Sequence, residues 1–210
     1  MSLTVIPKRY SVKSIFRTIQ GEGMWAGTPA VFCRFAGCNL DCSFCDTNFK
    51  GGTTYGVDDL ELAILGMQKA EPLLVFTGGE PALQLDAELV GRMRNHFKVV
   101  AIETNGTRYI GNLGLDHVCM SPKPSEPGSE IFQRSCTELK YVLKAGDPLP
   151  EVPYGVTYLR KYLSPMTDPT KEGPEAFIKE NLDWCVKLVT SDPRGGWNIS
   201  LQTHKLLGVE

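Results

Sequence analysis

The sequence predicts an α/β chain built as an open, partial β/α barrel of parallel strands, and three observations predict it. Short apolar segments rich in β-branched and aromatic residues recur at 30–36, 73–76, 99–103, 117–121, 138–143, 158–163 and 198–202, as strands covered on both faces require. Segments of helical period lie between them, and this alternation builds a parallel sheet. The 210 residues fall short of the ~250 typical of a full eight-fold barrel, so the barrel is expected to stay open.

The elements can be justified in order. Ala30-Val31-Phe32-Cys33-Arg34-Phe35-Ala36 is an apolar strand with one charge, and alternation puts Arg34 on the face opposite Val31, Cys33 and Phe35. Asp58 and Glu61 are spaced as a capping box opening the first helix, where Leu60, Ile64 and Met67 share a face. The second helix is expected over 86–97. The third, over 175–190, carries Phe177, Ile178, Leu182, Cys185, Val186 and Val189 at helical spacing. The Pro/Gly-rich stretches 121–128, 146–155 and 164–173 read as loops inside one domain spanning 1–210.

Composition narrows the class. An apolar fraction of 42% and a charged fraction of 22% are those of a globular protein. With 22 basic and 24 acidic side chains the net charge is −2, so no global positive field draws nucleic acid or anionic lipid. No apolar run approaches the ~20 residues of a membrane helix, and the first ten residues lack a secretory h-region. No nucleic acid or membrane partner is therefore expected. Seven cysteines, an odd number with three crowded into one loop, make a poor disulfide framework. They fit a reducing cytoplasm with thiols reserved for metal or catalysis.

The chemistry concentrates in Gly37-Cys38-Asn39-Leu40-Asp41-Cys42-Ser43-Phe44-Cys45-Asp46-Thr47. This Cys-x3-Cys-x2-Cys run follows the first apolar strand, at the strand end where α/β folds place their chemistry. Three is the informative count. A structural zinc site closes with four protein ligands, and fully protein-ligated iron–sulfur clusters commonly use four cysteines. Cys33 points away within its strand, and Cys119, Cys136 and Cys185 read as small buried apolar residues. A 4Fe–4S cluster on Cys38, Cys42 and Cys45 would keep one iron open for a small ligand. The alternative is a zinc knuckle taking His204 or Cys119 as its fourth ligand.

Other residues carry weaker signals. Arg34 is a cation in an apolar strand, costly to bury unpaired; it reads either as a clamp on a substrate carboxylate or as half of a salt bridge to an inward Glu. Gln20-Gly21-Glu22-Gly23 could be a plain turn, or a place where backbone approaches a ligand closely. Thr47 is a possible hard-oxygen ligand for magnesium, and equally an ordinary turn residue. Thr77-Gly78-Gly79-Glu80-Pro81 could be only a turn after a strand.

The Cys-x3-Cys-x2-Cys run, with Phe44 before its last cysteine, resembles the signature of the radical S-adenosylmethionine (SAM) superfamily, and Gly78-Gly79-Glu80 is similar to that superfamily's second motif. The resemblance implies a radical SAM fold. It also implies SAM chelated to the open iron and cleaved by one electron to a 5′-deoxyadenosyl radical. Further segments then recur in order: Ile19-Gln20-Gly21-Glu22-Gly23, Gly27-Thr28-Pro29-Ala30, Cys45-Asp46-Thr47, Ile102-Glu103-Thr104-Asn105-Gly106, Ser121-Pro122-Lys123 and Gln202-Thr203-His204-Lys205. From about residue 14 onward the chain resembles the 7-carboxy-7-deazaguanine synthase family of queuosine and 7-deazapurine biosynthesis.

This second resemblance implies a lyase acting on 6-carboxy-5,6,7,8-tetrahydropterin. Hydrogen is abstracted from C6, the ring contracts, the hydrogen returns and ammonia leaves, with SAM regenerated and magnesium assisting. It assigns Phe44, Cys45, Asp46, Gly79, Glu103 (to the ribose), Ser121, Pro122 and Lys123 to SAM. It assigns Ile19, Gln20, Gly21, Glu22, Arg34 and Thr77 to the substrate, with Thr47 on magnesium. Family members carry Gln-Pro-Met where this chain has Ser164-Pro165-Met166-Thr167, so SAM is expected to be met there through Ser164. His204 and the terminal carboxylate at Glu210 are candidates for the substrate. A flavodoxin or ferredoxin reductant and a homodimer are implied as well. Two other readings stay open from the residues: an activase installing a glycyl radical on a partner protein, and a non-catalytic zinc or iron–sulfur module.

Overall fold

Every strand that carries a candidate residue belongs to one sheet. The computed structural model describes residues 8–193 and 195–209. Its strands are β1 (Tyr10–Ile19), β2 (Pro29–Phe35), β3 (Thr53–Tyr55), β4 (Leu73–Gly78), β5 (Val99–Thr104), β6 (His117–Met120), β7 (Glu138–Leu143), β8 (Arg160–Pro165) and β9 (Trp197–Ile199). The helices are α1 (Val57–Met67), α2 (Ala87–Met93), α3 (Lys179–Ser191) and α4 (Thr203–Leu207). The sheet runs β3-β1-β2-β4-β5-β6-β7-β8-β9 and does not close. From β2 to β9 all neighbours are parallel, the open barrel that the alternation predicts. No helix among the described residues is long and apolar enough to cross a membrane.

The antiparallel edge is a correction. β1 and β3 do not figure among the expected strands, yet β1 pairs along β2 from Val12–Phe35 to Ile19–Pro29. Its register shifts between Val12 and Ser14, which breaks the two-residue alternation that a sequence reading relies on.

Alternation along the parallel strands divides two environments. Val31, Cys33, Phe35, Leu74, Phe76, Val100 and Ile102 point outward into a core sealed by Leu60 and Ile64 of α1 and Leu89, Val90 and Met93 of α2. A second core joins Met120, Leu139, Tyr141, Leu143 and Leu163 to Cys185 of α3 and Trp197. The inner face carries Ala30, Phe32, Leu73, Val75 and Ala101, and above them the polar residues of the site.

Three helix ends differ from expectation. Asp58 and Glu61 form no capping box: the cap of α1 is Gly56, without a side-chain bond, and both carboxylates hold Arg92 of α2 instead. Asp86 does cap α2, its carboxylate accepting from the Leu89 N–H at 3.0 Å, but the helix stops at Met93. Helix α3 begins at Lys179, because 173–176 form a separate 3-10 turn with Pro174 near its start.

Candidate functional site

The parallel strands open at their C-terminal ends onto a cavity of about 690 Å³. Into it project β2 with Arg34, β4 with Thr77, β5 with Glu103, β6 with Cys119, β7 with Lys140 and β8 with Ser164. The cysteine loop covers the β2 end, and α4 covers the far side. Cys38, Cys42 and Cys45 all line this cavity, as do Phe44, Asp46, Thr47, Gly79, Ser121, Lys123, Pro165, Met166 and Thr167. Ile19, Gln20, Gly21, Glu22 and His204 line it from the other side. Of the expected residues, Pro122 is buried off the cavity wall, a correction, because its neighbours Ser121 and Lys123 face inward. Glu210 lies outside the described residues.

Glycine geometry ties the loop to the sheet. A Cβ at Gly79 would fall 2.0 Å from the Gly37 carbonyl oxygen and 2.9 Å from the Cys38 Cβ, so only glycine lets β4 approach the cysteine loop so closely. Glu80, fully buried, accepts from Thr104 Oγ1 (2.7 Å), the Asn105 N–H (2.7 Å) and the Ala82 N–H (2.9 Å). Its own N–H donates to the Gly37 carbonyl at 2.9 Å. One residue thus joins the ends of β4 and β5 through its carboxylate and the cysteine loop through its backbone N–H. Asn39 extends the lock, donating to Thr107 Oγ1 at 2.8 Å and accepting from Asn105 Nδ2 at 3.2 Å.

The thiols suit a multinuclear centre better than a single ion. Among the described residues no three His, Cys, Asp or Glu side chains gather closely enough to hold one metal ion. The zinc knuckle with His204 or Cys119 therefore finds no ligand set, whereas a cubane takes each thiolate at its own iron. Burial raises the thiols of Cys38 and of Cys42, the latter to about 11. Lys123 adds a cation on the cavity wall. It donates only to Ser121, at its carbonyl (2.7 Å) and hydroxyl (2.6 Å), and forms no ion pair with a carboxylate among the described residues.

Arg34 lines the cavity from β2. It forms no salt bridge among the described residues. Its guanidinium lies 5.5 Å from the Phe16 ring centroid and donates to Thr47 Oγ1 at 3.3 Å. Facing the cavity with its charge unpaired, it keeps the fork free for an oxyanion.

A polar net forms the cavity floor, beginning at Thr77, the register partner of Arg34. Glu22 receives the Lys140 ammonium on Oε2 and Gln202 Nε2 on Oε1, the latter at 3.1 Å. Burial alone would raise the Glu22 carboxyl, but the Lys140 ammonium more than offsets it and holds the group below its ordinary value. Glu103 accepts from Gln20 Nε2 and Thr77 Oγ1, both at 3.0 Å. Both partners are among the residues assigned to the substrate. Burial keeps His204 below its ordinary pKa, hence neutral.

The C-terminal segment latches the site. Gln202 Nε2 also reaches Asp46 Oδ2 at 3.1 Å, and Lys205 Nζ bridges Asp46 Oδ2 (2.7 Å) and Thr167 Oγ1 (2.8 Å).

The comparisons can now be set beside this geometry. The Radical SAM superfamily model matches residues 33–128, the stretch holding the three cysteines and Gly79. The chain is 39% identical to the 7-carboxy-7-deazaguanine synthase of Bordetella pertussis over 95% of its own length and 99% of the relative's. It is 40% identical to that of Nitratidesulfovibrio vulgaris over the same shares. The chain belongs to the 7-carboxy-7-deazaguanine synthase family. The crystal structure of QueE from Escherichia coli shares the fold, with a TM-score of 0.66 at 24% identity over 92% of this chain and 93% of that one. As a member of this radical SAM family, the chain is an enzyme whose chemistry implies a 4Fe–4S cluster and SAM.

Sequence reading missed the residues that a 7-carboxy-7-deazaguanine synthase fold brings in from late strands. Lys140 carries the signal that exposed Arg34, a cation inside the apolar strand β7. Gln202 and Lys205 lie in a segment marked only as a motif. Cys119 is buried as expected, and it also lies at the cavity wall.

Proposed function

We propose that this protein is a radical SAM lyase converting 6-carboxy-5,6,7,8-tetrahydropterin to 7-carboxy-7-deazaguanine with loss of ammonia, in 7-deazapurine and queuosine biosynthesis. The observation that carries this reading is the polarity of one cavity. Three thiols and an unpaired Arg34 line one side, and ionised Glu22 with Glu103 form the floor. A carboxylated pterin has the matching ends, an anion and a row of N–H donors.

The three cysteines would hold the cluster; Phe44, Asp46, Gly79, Ser121, Lys123 and 164–167 would hold SAM. Together these groups supply hydrogen-atom abstraction at a carbon that no side chain could deprotonate. The chain's own residues bind and orient. Arg34 takes the substrate carboxylate through two parallel N–H donors. Glu22 accepts from the amino-pyrimidinone edge, with Ile19, Gln20 and Gly21 along the same edge and Glu103 and Thr77 beside it. His204 closes the pocket as a neutral imidazole. Thr47, beside Arg34, would offer magnesium one hydroxyl, water and substrate oxygens completing the shell. A flavodoxin or ferredoxin as reductant, a homodimer and a cytoplasmic location complete the reading, supported by family membership.

The test is anaerobic reconstitution with iron and sulfide, reduction, and incubation with SAM and 6-carboxytetrahydropterin. Chromatography is expected to show 7-carboxy-7-deazaguanine, and Cys38→Ala, Cys42→Ala or Cys45→Ala to abolish it. Bound zinc without product, 5′-deoxyadenosine released only with a protein partner, or normal turnover by a cysteine variant would each overturn the reading.

A further inference from the structure

The floor of the cavity contains a charge that no assigned role uses. Lys140 sits mid-strand in β7, its side chain 9% exposed, on the cavity wall. An ammonium has three donors. Glu22 Oε2 takes one, and no other acceptor among the described residues takes the remaining two. Glu103 and the Cys119 thiol are near enough to act on Lys140 electrostatically, but neither accepts a hydrogen bond from it. A buried ion pair is weak evidence for stability on its own, and a buried donor without an acceptor is costly. Open donors on a cavity wall therefore point to a ligand.

The acceptors beside it can be counted in the same way. An ionised carboxylate has about four acceptor sites, two on each oxygen. In Glu22 one site on Oε2 goes to Lys140 and one on Oε1 to Gln202. One site therefore remains on each oxygen, the arrangement that receives two parallel N–H donors. Next to these two acceptors stands the Lys140 donor. The floor thus reads donor, acceptor, acceptor.

We propose that Lys140 is a specificity-determining residue whose ammonium binds the 4-oxo oxygen of the pterin while Glu22 binds the adjacent ring N–H and 2-amino group. This rests on the substrate reading given above and deepens it. An oxo–NH–amino edge presents acceptor, donor, donor, the complement of the floor. Arg34 stands on β2, separated from β7 by β4, β5 and β6, so the carboxylate and the pyrimidinone edge have separate anchors on opposite walls.

The test compares equilibrium binding of two ligands to cluster-loaded, SAM-bound enzyme without air: 6-carboxytetrahydropterin and its 4-thioxo counterpart. Sulfur is a weak acceptor, but the thioxo compound keeps both N–H donors. Wild type is expected to favour the oxo compound about tenfold, the scale of one charged hydrogen bond. In Lys140→Met that ratio should fall to about one, mainly through weaker oxo binding. A variant that weakens both ligands equally and keeps the wild-type ratio, or one that changes nothing, overturns the assignment. Should Lys140→Met fail to fold with Glu22 left unpaired, the neutral double variant Glu22→Gln with Lys140→Met carries the same expectation, and a retained preference overturns it. Wild type that binds neither pterin overturns both this inference and the function it rests on.

Discussion

Thr203 gives both its backbone N–H and its hydroxyl to the carbonyl of Gly21, at 2.9 and 2.8 Å. That pair pins the first turn of α4 across the 20–23 turn, and it works only because residue 21 has no side chain. A Cβ there would fall 1.9 Å from His204 Nδ1 and 2.8 Å from the His204 backbone nitrogen. Since one clash is with backbone, Gly21→Ala must push α4 off the pocket. Pterin affinity is expected to fall about 10- to 100-fold, as small displacements of positioning groups do. Substrate titration of the variant measures it, and an unchanged dissociation constant would show that the contact is idle.

Glu80→Ala tests the lock beneath the cysteine loop. The variant leaves the Asn105 and Ala82 N–H groups and the Thr104 hydroxyl without their acceptor in a fully buried place. Each loss has a penalty of about 1–3 kcal/mol, so chemical unfolding of the metal-free protein should show a destabilisation of about 3 kcal/mol or more. A loss under about 1 kcal/mol would mean that water replaces the carboxylate.

Much of this site is legible because its chemistry forbids substitution. The spacing of Cys38, Cys42 and Cys45 has few other uses, and Arg34 stands out as the one charge in an apolar strand. Strand β1 is illegible for a local reason: the register shift between Val12 and Ser14 turns Ile15 and Phe16 to faces that simple alternation does not anticipate. Glu61 reads as half of a cap because sequence spacing cannot show Arg92 arriving from α2. Lys140 and Gln202 escape notice because their meaning lies in a shared partner, Glu22, more than a hundred residues away in sequence.

Glu71 should be one source of acid sensitivity outside the site. Burial would raise the Glu71 carboxyl, but the Lys69 and Ala70 N–H groups and the Arg17 guanidinium lower it to about 2. A folded-state pKa below the unfolded value of about 4.3 contributes stability that is fully present above that value. It is lost as pH falls towards about 2. Glu71→Gln should therefore melt lower than wild type at neutral pH, and the gap should shrink through this acid window. A gap constant down to pH 2 would place the stabilisation elsewhere.

Lys205 provides the last test, because it separates anchoring of the cysteine loop from formation of the cluster. Its ammonium bridges Asp46, next to Cys45, and Thr167 at the end of β8, and the pair is partly shielded, with side chains 15% and 33% exposed. In Lys205→Met, Asp46 keeps only Gln202 as a tie to the C-terminal segment. The thiols and the Glu80 lock are untouched, so the cluster should still assemble. What should change is opening of the loop, since local unfolding draws on the contacts of that segment alone. Amide exchange over 41–47 and the rate at which a chelator strips iron are expected to rise about 3- to 10-fold, the scale of one half-buried ion pair. Lys179→Met is the control: its pair with Asp183 is 80% and 62% exposed on α3, so its loss should leave both rates as in wild type. Equal rates in Lys205→Met and wild type would mean that Glu80 and Asn39 alone hold the loop, and that the C-terminal latch serves only the substrate side.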